Sequence, residues 1–284
     1  MKRISVVALI LSLSISFCNY FASAEPIHPI LREDATRVDF PVPKEQRDEK
    51  YSKFLSASVK LSVNGSAGSG TIIYYDPSSE WAYVISCGHL WEGNKGYGSE
   101  PKVGARVTVW YKNGTKLPEA RAYDAEVLFW SNDRGYDCSL VRFKCDWIPE
   151  CFPISPKFKF KKGDLLNSMG CDGGREVARY EVRFVEKRSL DIITELNSPR
   201  PGRSGGGLVT NEGELVGICW GTSDISGKGI GYFTPVSSME KVFSKNNHMW
   251  LIGNRKIMEI VPIKDWDKPD RKYEGNFIPM PIMF

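Results

Sequence analysis

The sequence predicts an all-β protein made of two six-stranded antiparallel β-barrels, with a C-terminal helix and a short tail. Three observations predict it. Short runs rich in Val, Ile, Tyr and Trp recur along the chain, the composition that suits a pleated, half-buried surface. They fall into two series of six, parted by a loop that carries Pro149, Pro153 and Pro156. At 284 residues the chain can bury one large core or two small ones, since domains usually run about 100–200 residues.

The elements follow in order. Residues 1–24 read as a signal peptide: Lys2 and Arg3 give a basic start, Ile4 to Phe17 an apolar run, and Ala22-Ser23-Ala24 a small-residue cleavage site. The apolar run is short and broken by serines, whereas a spanning helix wants ~20 predominantly apolar residues. The expected product is therefore exported, periplasmic or secreted, with no stable membrane association after cleavage. Cys18 does not read as a lipid acceptor, because the bulky Phe17 precedes it. Residues 25–54, with Pro26, Pro29, Pro41, Pro43 and many charges, read as an extended lead-in.

The first barrel is expected over 55–150, with strands near 55–63, 70–75, 82–86, 104–111, 121–130 and 137–143. Asn64-Gly65 and Asn113-Gly114 supply residues that tolerate positive φ in tight hairpin turns. Followed by Ser66 and Thr115, both also match a glycosylation acceptor, but turn chemistry accounts for them without modification. The second barrel is expected over 151–246, with strands near 164–170, 178–186, 189–195, 206–210, 214–221 and 228–234. The run Pro235 to Phe243 reads as a helix closing the second barrel, capped by Ser237 or Ser238, with Met239, Val242 and Phe243 on one face. Residues 247–284 form a tail whose apolar, proline-broken end is expected to dock on the body.

Charge excludes some partners. The formal net charge is +4, and removing Lys2 and Arg3 leaves +2, so no global field draws the mature protein to nucleic acid or anionic lipid. The run Lys157 to Lys162 alternates Lys with Phe158 and Phe160, which describes a half-solvated strand or an interdomain crossing. Besides Cys18 there are Cys87, Cys138, Cys145, Cys151, Cys171 and Cys219. Export permits disulfides without requiring them, and the loop between Cys145 and Cys151 is short enough to be bridged. The connectivity stays open. There is no Cys-x-x-Cys, and His28, His89 and His248 are the only imidazoles, so no metal and no cofactor is expected. Oligomeric state is not legible.

The chemistry gathers on three segments. Pro201-Gly202-Arg203-Ser204-Gly205-Gly206-Gly207 places a serine hydroxyl on a glycine-rich turn. A neutral hydroxyl is a poor nucleophile, so acyl transfer needs a base to take its proton and an acid to protonate the leaving group. His89, in Ser86-Cys87-Gly88-His89, can do both, and Asp137, in Tyr136-Asp137-Cys138, can hold the imidazole in one tautomer. The amides of Gly202 and Ser204 are the candidate donors to a developing oxyanion.

These segments, with Gly68-Ser69-Gly70-Thr71, Gly217-Ile218-Cys219-Trp220-Gly221 and Gly229-Ile230-Gly231-Tyr232-Phe233, stand in the order of a known family. Over residues 55–246 the chain resembles the trypsin-like, chymotrypsin-fold serine peptidases of the kind bacteria export, without an appended PDZ domain. The resemblance implies a serine endopeptidase acting through an acyl-enzyme. His89 would be the general base, Asp137 its orienter, Ser204 the nucleophile, and the Gly202 and Ser204 amides the oxyanion hole. It implies that Trp220 and Gly221 line a cleft where an extended peptide or protein substrate pairs with the strand through Cys219 to Gly221. It also implies that the segment around Asn197 and Ser198 forms the base of the specificity pocket, with uncharged, small or medium apolar residues preferred before the cut unless Glu195 reaches in.

Two positions depart from the family. Arg203 stands where animal digestive members carry an acid that pairs with a newly cleaved N-terminus, so the site is expected to be preformed or assembled by loop contacts. Cys219 stands where many members have a serine that hydrogen-bonds the catalytic aspartate, and a thiol is a weaker donor. Cys87, Cys138 and Cys219 are expected to lie together as buried free thiols. The alternative function is a catalytically silent scaffold that binds peptides or a protein partner. A nucleophile elbow at Gly202-x-Ser204-x-Gly206, with Asp224 and His248 as partners, needs a helix after the serine, whereas Leu208 and Val209 read as strand.

Overall fold

Two series of strands, each paired only within itself, close into barrels of one topology. The computed structural model describes residues 51–63, 66–91, 104–133, 136–223 and 229–252, all within the unit Phe40–Phe284. The first barrel comprises β1 (Ser58–Val63), β2 (Ser66–Asp76), β3 (Trp81–Ser86), β4 (Ala105–Lys112), β5 (Thr115–Ser131) and β6 (Cys138–Lys144), in the closed order β1-β2-β3-β6-β5-β4. The second comprises β7 (Leu165–Cys171), β8 (Val177–Lys187), β9 (Ile192–Glu195), β10 (Gly207–Val209), β11 (Leu215–Ser223) and β12 (Ile230–Pro235), and repeats that order with every strand six places on. All pairings are antiparallel, and closure runs through β1 with β4 and β7 with β10.

The side-chain period of two is plain in β4, where Ala105, Val107, Val109 and Tyr111 are buried and the residues between them face outward. Asn113 and Gly114 take φ of 49° and 74° between the paired Lys112 and Thr115. Positive φ at both central residues is the two-residue turn whose twist matches a hairpin. That turn starts β5 at Thr115, six residues before the expected strand. The added residues Thr115 to Ala120 are mostly exposed, so no burial pattern betrays them. The Asn64-Gly65 turn lies outside the described residues.

Residues 55–57 depart from the expected first strand, because α1 (Ser52–Ser56) occupies the place. Neighbouring Phe54 and Leu55 are both buried, Phe54 in the main core and Leu55 against Tyr111, Cys171 and Val177. A strand would send adjacent side chains to opposite faces, whereas a helical turn can serve two cores on one side. The end of the lead-in is thus helical; residues 25–50 lie outside the described residues, as do 1–24 and 253–284. Similarly, β9 begins at Ile192, not 189, after a turn closed by the Arg188 amide on the Asp191 carbonyl.

The main apolar cluster is shared. Val59, Ile72, Val84, Ile85, Leu140 and Phe143 of the first barrel join Met169, Val209, Leu215 and Ile218 of the second. Leu166, Val182, Ile192, Leu208, Val216 and Phe233 fill the second barrel. The helix α2 (Val236–Lys245) buries Val236, Met239 and Phe243, with no side-chain cap from Ser237 or Ser238; its N-cap is the extended Pro235. Its apolar face belongs to the shared cluster, where Phe243 meets Phe129 of β5 edge-on at 5.1 Å, so it ties down the first barrel as well as covering the second. Phe158 and Phe160 pack on the second barrel, with Phe160 stacked on Phe184 at 4.8 Å, while Lys157, Lys159, Lys161 and Lys162 face solvent.

The six described cysteines are buried and free. Cys145 and Cys151 do not bridge: Cys145 Sγ lies 3.3 Å from the Trp147 carbonyl and Cys151 Sγ 3.5 Å from that of Pro149. Each thiol donates into its own turn, and burial pushes the Cys145 thiol up to about 12.

Candidate active site

The barrel register brings His89 and Asp137 together. Strands β3 and β6 are antiparallel neighbours with Ser86 opposite Ser139. His89 follows the end of β3 in a short 3-10 turn, His89–Trp91, and Asp137 immediately precedes β6, so both leave the same end of adjacent strands. His89 Nδ1 lies 2.7 Å from Asp137 Oδ2. The other carboxylate oxygen, Oδ1, accepts the backbone amides of Gly88 at 2.6 Å and His89 at 2.8 Å. Asp137 is therefore held by the turn that carries its partner, a support no side-chain reading foresaw.

A carboxylate at Nδ1 places the imidazole proton there and leaves Nε2 as the acceptor. Nε2 lies 3.6 Å from Cys87 Sγ, and among the described residues no hydrogen bond joins it to Ser204. Burial alone would lower the His89 pKa, but Cys87 and the Asp137 hydrogen bond more than offset it, and the net shift is upward. Burial likewise pushes the Cys87 thiol up. The ligand-type atoms of Cys87, His89 and Asp137 fall within 4.8 Å of one another. Nδ1 and both carboxylate oxygens are already engaged, which suits a hydrogen-bonded relay better than a coordination sphere.

Ser204, half-buried, stands on the loop between β9 and β10, and this loop is pinned from both barrels. The Ser69 amide of β2 donates to the Ser204 carbonyl at 2.7 Å, and Ser69 Oγ donates to the Gly202 carbonyl at 2.7 Å while accepting the Cys171 amide at 2.7 Å. Ser86 Oγ in turn donates to the Ser69 carbonyl at 2.6 Å. The Pro201 carbonyl accepts the Gly173 amide at 2.6 Å, and the Arg203 carbonyl accepts the Gly206 amide at 2.8 Å. Because a trans peptide is planar with its C=O and N–H opposed, those two bonds turn the N–H groups of Gly202 and Ser204 away from the loop interior. Neither amide meets an acceptor among the described residues.

Gly202 has φ of 91°, and a Cβ there would lie 2.7 Å from the Cys171 carbonyl and within 3 Å of the Gly173 and Gly174 amides. No other residue fits this conformation and this approach. Arg203 is 1% exposed and points inward to Asp172.

The β11 edge forms the adjoining surface. Pairing with β10 ends at Gly207 and Ile218, and the Cys219 amide and carbonyl are engaged by Gly206 and Gly205 at 2.8 Å each. The free edge therefore begins at Trp220, one residue beyond the expected start at Cys219. A register shift between Cys219 and Gly221 lifts Trp220 out of the ladder, 40% exposed, with Nε1 3.0 Å from Asp191 Oδ1 and its ring 5.5 Å from Tyr232. A Cβ at Gly221 would meet nothing within 4 Å. Ser198 Oγ contacts Thr222 Oγ1, which also donates to the Ile230 carbonyl at 2.9 Å. Glu195 is drawn to Arg183 at 3.4 Å, so it does not place its charge beside Ser198. After Ser204 the chain enters β10, not the helix an elbow requires.

The trypsin-like peptidase domain family matches residues 68–218, which is more than half of the chain. The chain belongs to that family. Among curated relatives, the peptidase domain is 20% identical over 212 residues to the serine protease Do-like HtrA of Bacillus subtilis strain 168, covering 69% of this chain and 43% of the relative. It is 24% identical over 193 residues to the Do-like 14 protein of Arabidopsis thaliana, covering 64% of this chain and 41% of that one. The chain thus spans less than half the length of these relatives. Among solved structures, the serine endoprotease from Yersinia pestis superposes with a TM-score of 0.52 at 20% identity, covering 72% of this chain and 67% of that one. The Rv3671c protease in its inactive form gives 0.51 at 17% identity, covering 72% and 96%. At such identities the structural likeness establishes the fold of the peptidase domain, the chymotrypsin-like double barrel.

Proposed function

We propose that this peptidase domain is a serine endopeptidase in which Ser204 attacks the scissile carbonyl carbon and passes its proton to His89 Nε2. The tetrahedral oxyanion is held by the Gly202 and Ser204 amides. When the C–N bond breaks, the leaving amine takes the proton from His89, and water repeats the sequence to release the acyl group from Ser204. The observation that carries the reading is the 2.7 Å contact of His89 Nδ1 with an Asp137 carboxylate whose other oxygen is held by two backbone amides. It fixes a tautomer whose Nε2 can only accept. The imidazole must exchange its Cys87 contact for Ser204 when substrate binds, in keeping with catalytic hydrogen bonds that tighten only in the complex.

The substrate is an extended peptide or protein segment that adds to the β11 edge from Trp220 onward. The Ser198 and Thr222 hydroxyls near the expected pocket base, with Glu195 paired to Arg183, favour an uncharged residue before the cut. The basic start, apolar run and small-residue site of residues 1–24 support an exported, periplasmic or secreted protein.

Labelling of residues 25–284 by a fluorophosphonate probe tests the reading, with Ser204→Ala and His89→Ala alongside. Labelling that requires both residues is the expected outcome. A folded wild-type protein that stays unlabelled yet binds peptides would replace the enzyme by a silent binding scaffold.

A further inference from the structure

We infer that Arg203 and Asp172 are a positioning pair that holds the two free amides of the Ser204 loop in place, so that the site forms without an activating chain terminus. This rests on the reading of Gly202 and Ser204 as oxyanion donors. Arg203 lies between them in sequence and is 1% exposed. Its Nε and Nη2 lie 3.0 and 2.7 Å from Asp172 Oδ1, its Nη1 lies 3.3 Å from Ser168 Oγ, and its guanidinium sits 4.0 Å from the centre of the Tyr180 ring. A guanidinium out of water is costly unless paired and hydrogen-bonded, so its location is set by where Asp172 stands.

Asp172 opens the turn Asp172–Gly174, and the next residue of that turn, Gly173, donates to the Pro201 carbonyl. One turn therefore grips the loop twice, by backbone at Pro201 and by ion pair at Arg203, and Gly202 lies between the grips. Clamping matters there because glycine can rotate its flanking peptides with little steric resistance. If the Pro201-Gly202 peptide turned over, the Gly173 bond would break and the Gly202 N–H would face inward. A buried ion pair adds little net stability over an apolar pair of the same shape, so its value here lies in orientation.

The test uses residues 25–284 with Arg203→Met, Arg203→Lys and Asp172→Asn, and the double variant Asp172→Leu with Arg203→Met, which removes both charges and so protects folding. Concentration dependence of fluorophosphonate labelling separates maximal rate from half-saturating concentration. The expected result for Arg203→Met is a maximal rate lower by ~10²–10³, the effect of losing one oxyanion donor, with half-saturation moved by less than about threefold. Arg203→Lys recovers part of the rate, and the double variant recovers thermal stability but not rate. A double variant that regains both, or an effect confined to half-saturation, overturns the proposal. Amide exchange at Gly173 gives a readout independent of catalysis: faster exchange in Arg203→Met supports the clamp, and unchanged exchange overturns it. If the wild-type protein is unlabelled, the peptidase reading fails, and the Gly173 exchange alone decides the pair.

Discussion

The Ser69 amide in the first barrel donates to the Ser204 carbonyl in the second at 2.7 Å, so the proposed nucleophile is anchored by the barrel that supplies its base. His89 and Asp137 leave β3 and β6, and Ser204 leaves the loop before β10. The proposed base and the proposed nucleophile thus come from different barrels, and their relative position is set by a few buried polar contacts gathered on Ser69.

Ser69→Ala removes the hydroxyl that joins the Gly202 carbonyl to the Cys171 amide and leaves both buried groups short of a partner. An unsatisfied buried group costs about 1–3 kcal/mol. Thermal unfolding should show that loss, and fluorophosphonate labelling should slow at least tenfold. Full-rate labelling would mean that the hydroxyl only packs the interface.

Gly202→Ala places a side chain at φ of 91°, against the Cys171 carbonyl. The backbone must shift, and the Gly202 amide with it. Loss of ~10²–10³ in labelling rate is expected. Retained rate in a folded variant would show that this amide is not a donor to the oxyanion.

The upward shift of His89 has a definite sign. A base must be neutral to accept the serine proton, so labelling should rise with pH through a midpoint above 6.5. Asp137→Asn should bring that midpoint down and cut the rate by ~10⁴. By linkage, a raised folded-state pKa stabilises the fold fully below the unfolded value, and that contribution fades as pH rises through the folded value. Stability should therefore be greater on the acid side of the activity midpoint. A midpoint at or below 6.5 would contradict the Asp137 contact.

Thiol titration checks the cysteines. Burial pushes the Cys171 thiol, like that of Cys145, up to about 12. Native residues 25–284 should react negligibly with a chromogenic disulfide reagent at pH 8, and six thiols should appear in denaturant under non-reducing conditions. Four would mean that one pair had bridged, Cys145 with Cys151 being the pair joined by the shortest loop.

Much of the fold was legible because strands announce themselves locally. The period-two burial of β4, the Asn113-Gly114 turn and the proline-marked break between the series are properties of neighbouring residues. The candidates His89, Asp137 and Ser204 could be picked out for a similar reason, since each sits in a short segment whose glycines and flanking strands mark a special turn. Local signals misled where tertiary demand overrode them: α1 displaced a strand because Phe54 and Leu55 serve two cores, and β5 began at Thr115 because a two-residue turn set Thr115 and Lys116 against Lys112 and Tyr111 of β4.

By itself, then, the sequence determined two six-stranded series, the order His89, Asp137, Ser204 and the glycine-rich loop around the serine. It also exposed Arg203 and Cys219 as unusual neighbours without saying what they do. Only the tertiary structure decided that Asp137 is held by the Gly88 and His89 amides, that Cys219 is engaged and the free edge begins at Trp220, and that Arg203 finds Asp172 at the end of the neighbouring strand β7. The physical reason is range. Turns and alternating burial are written within a few residues, whereas a buried polar group is satisfied by whatever the closed barrels bring to it, over separations such as the 133 residues between Ser69 and Gly202.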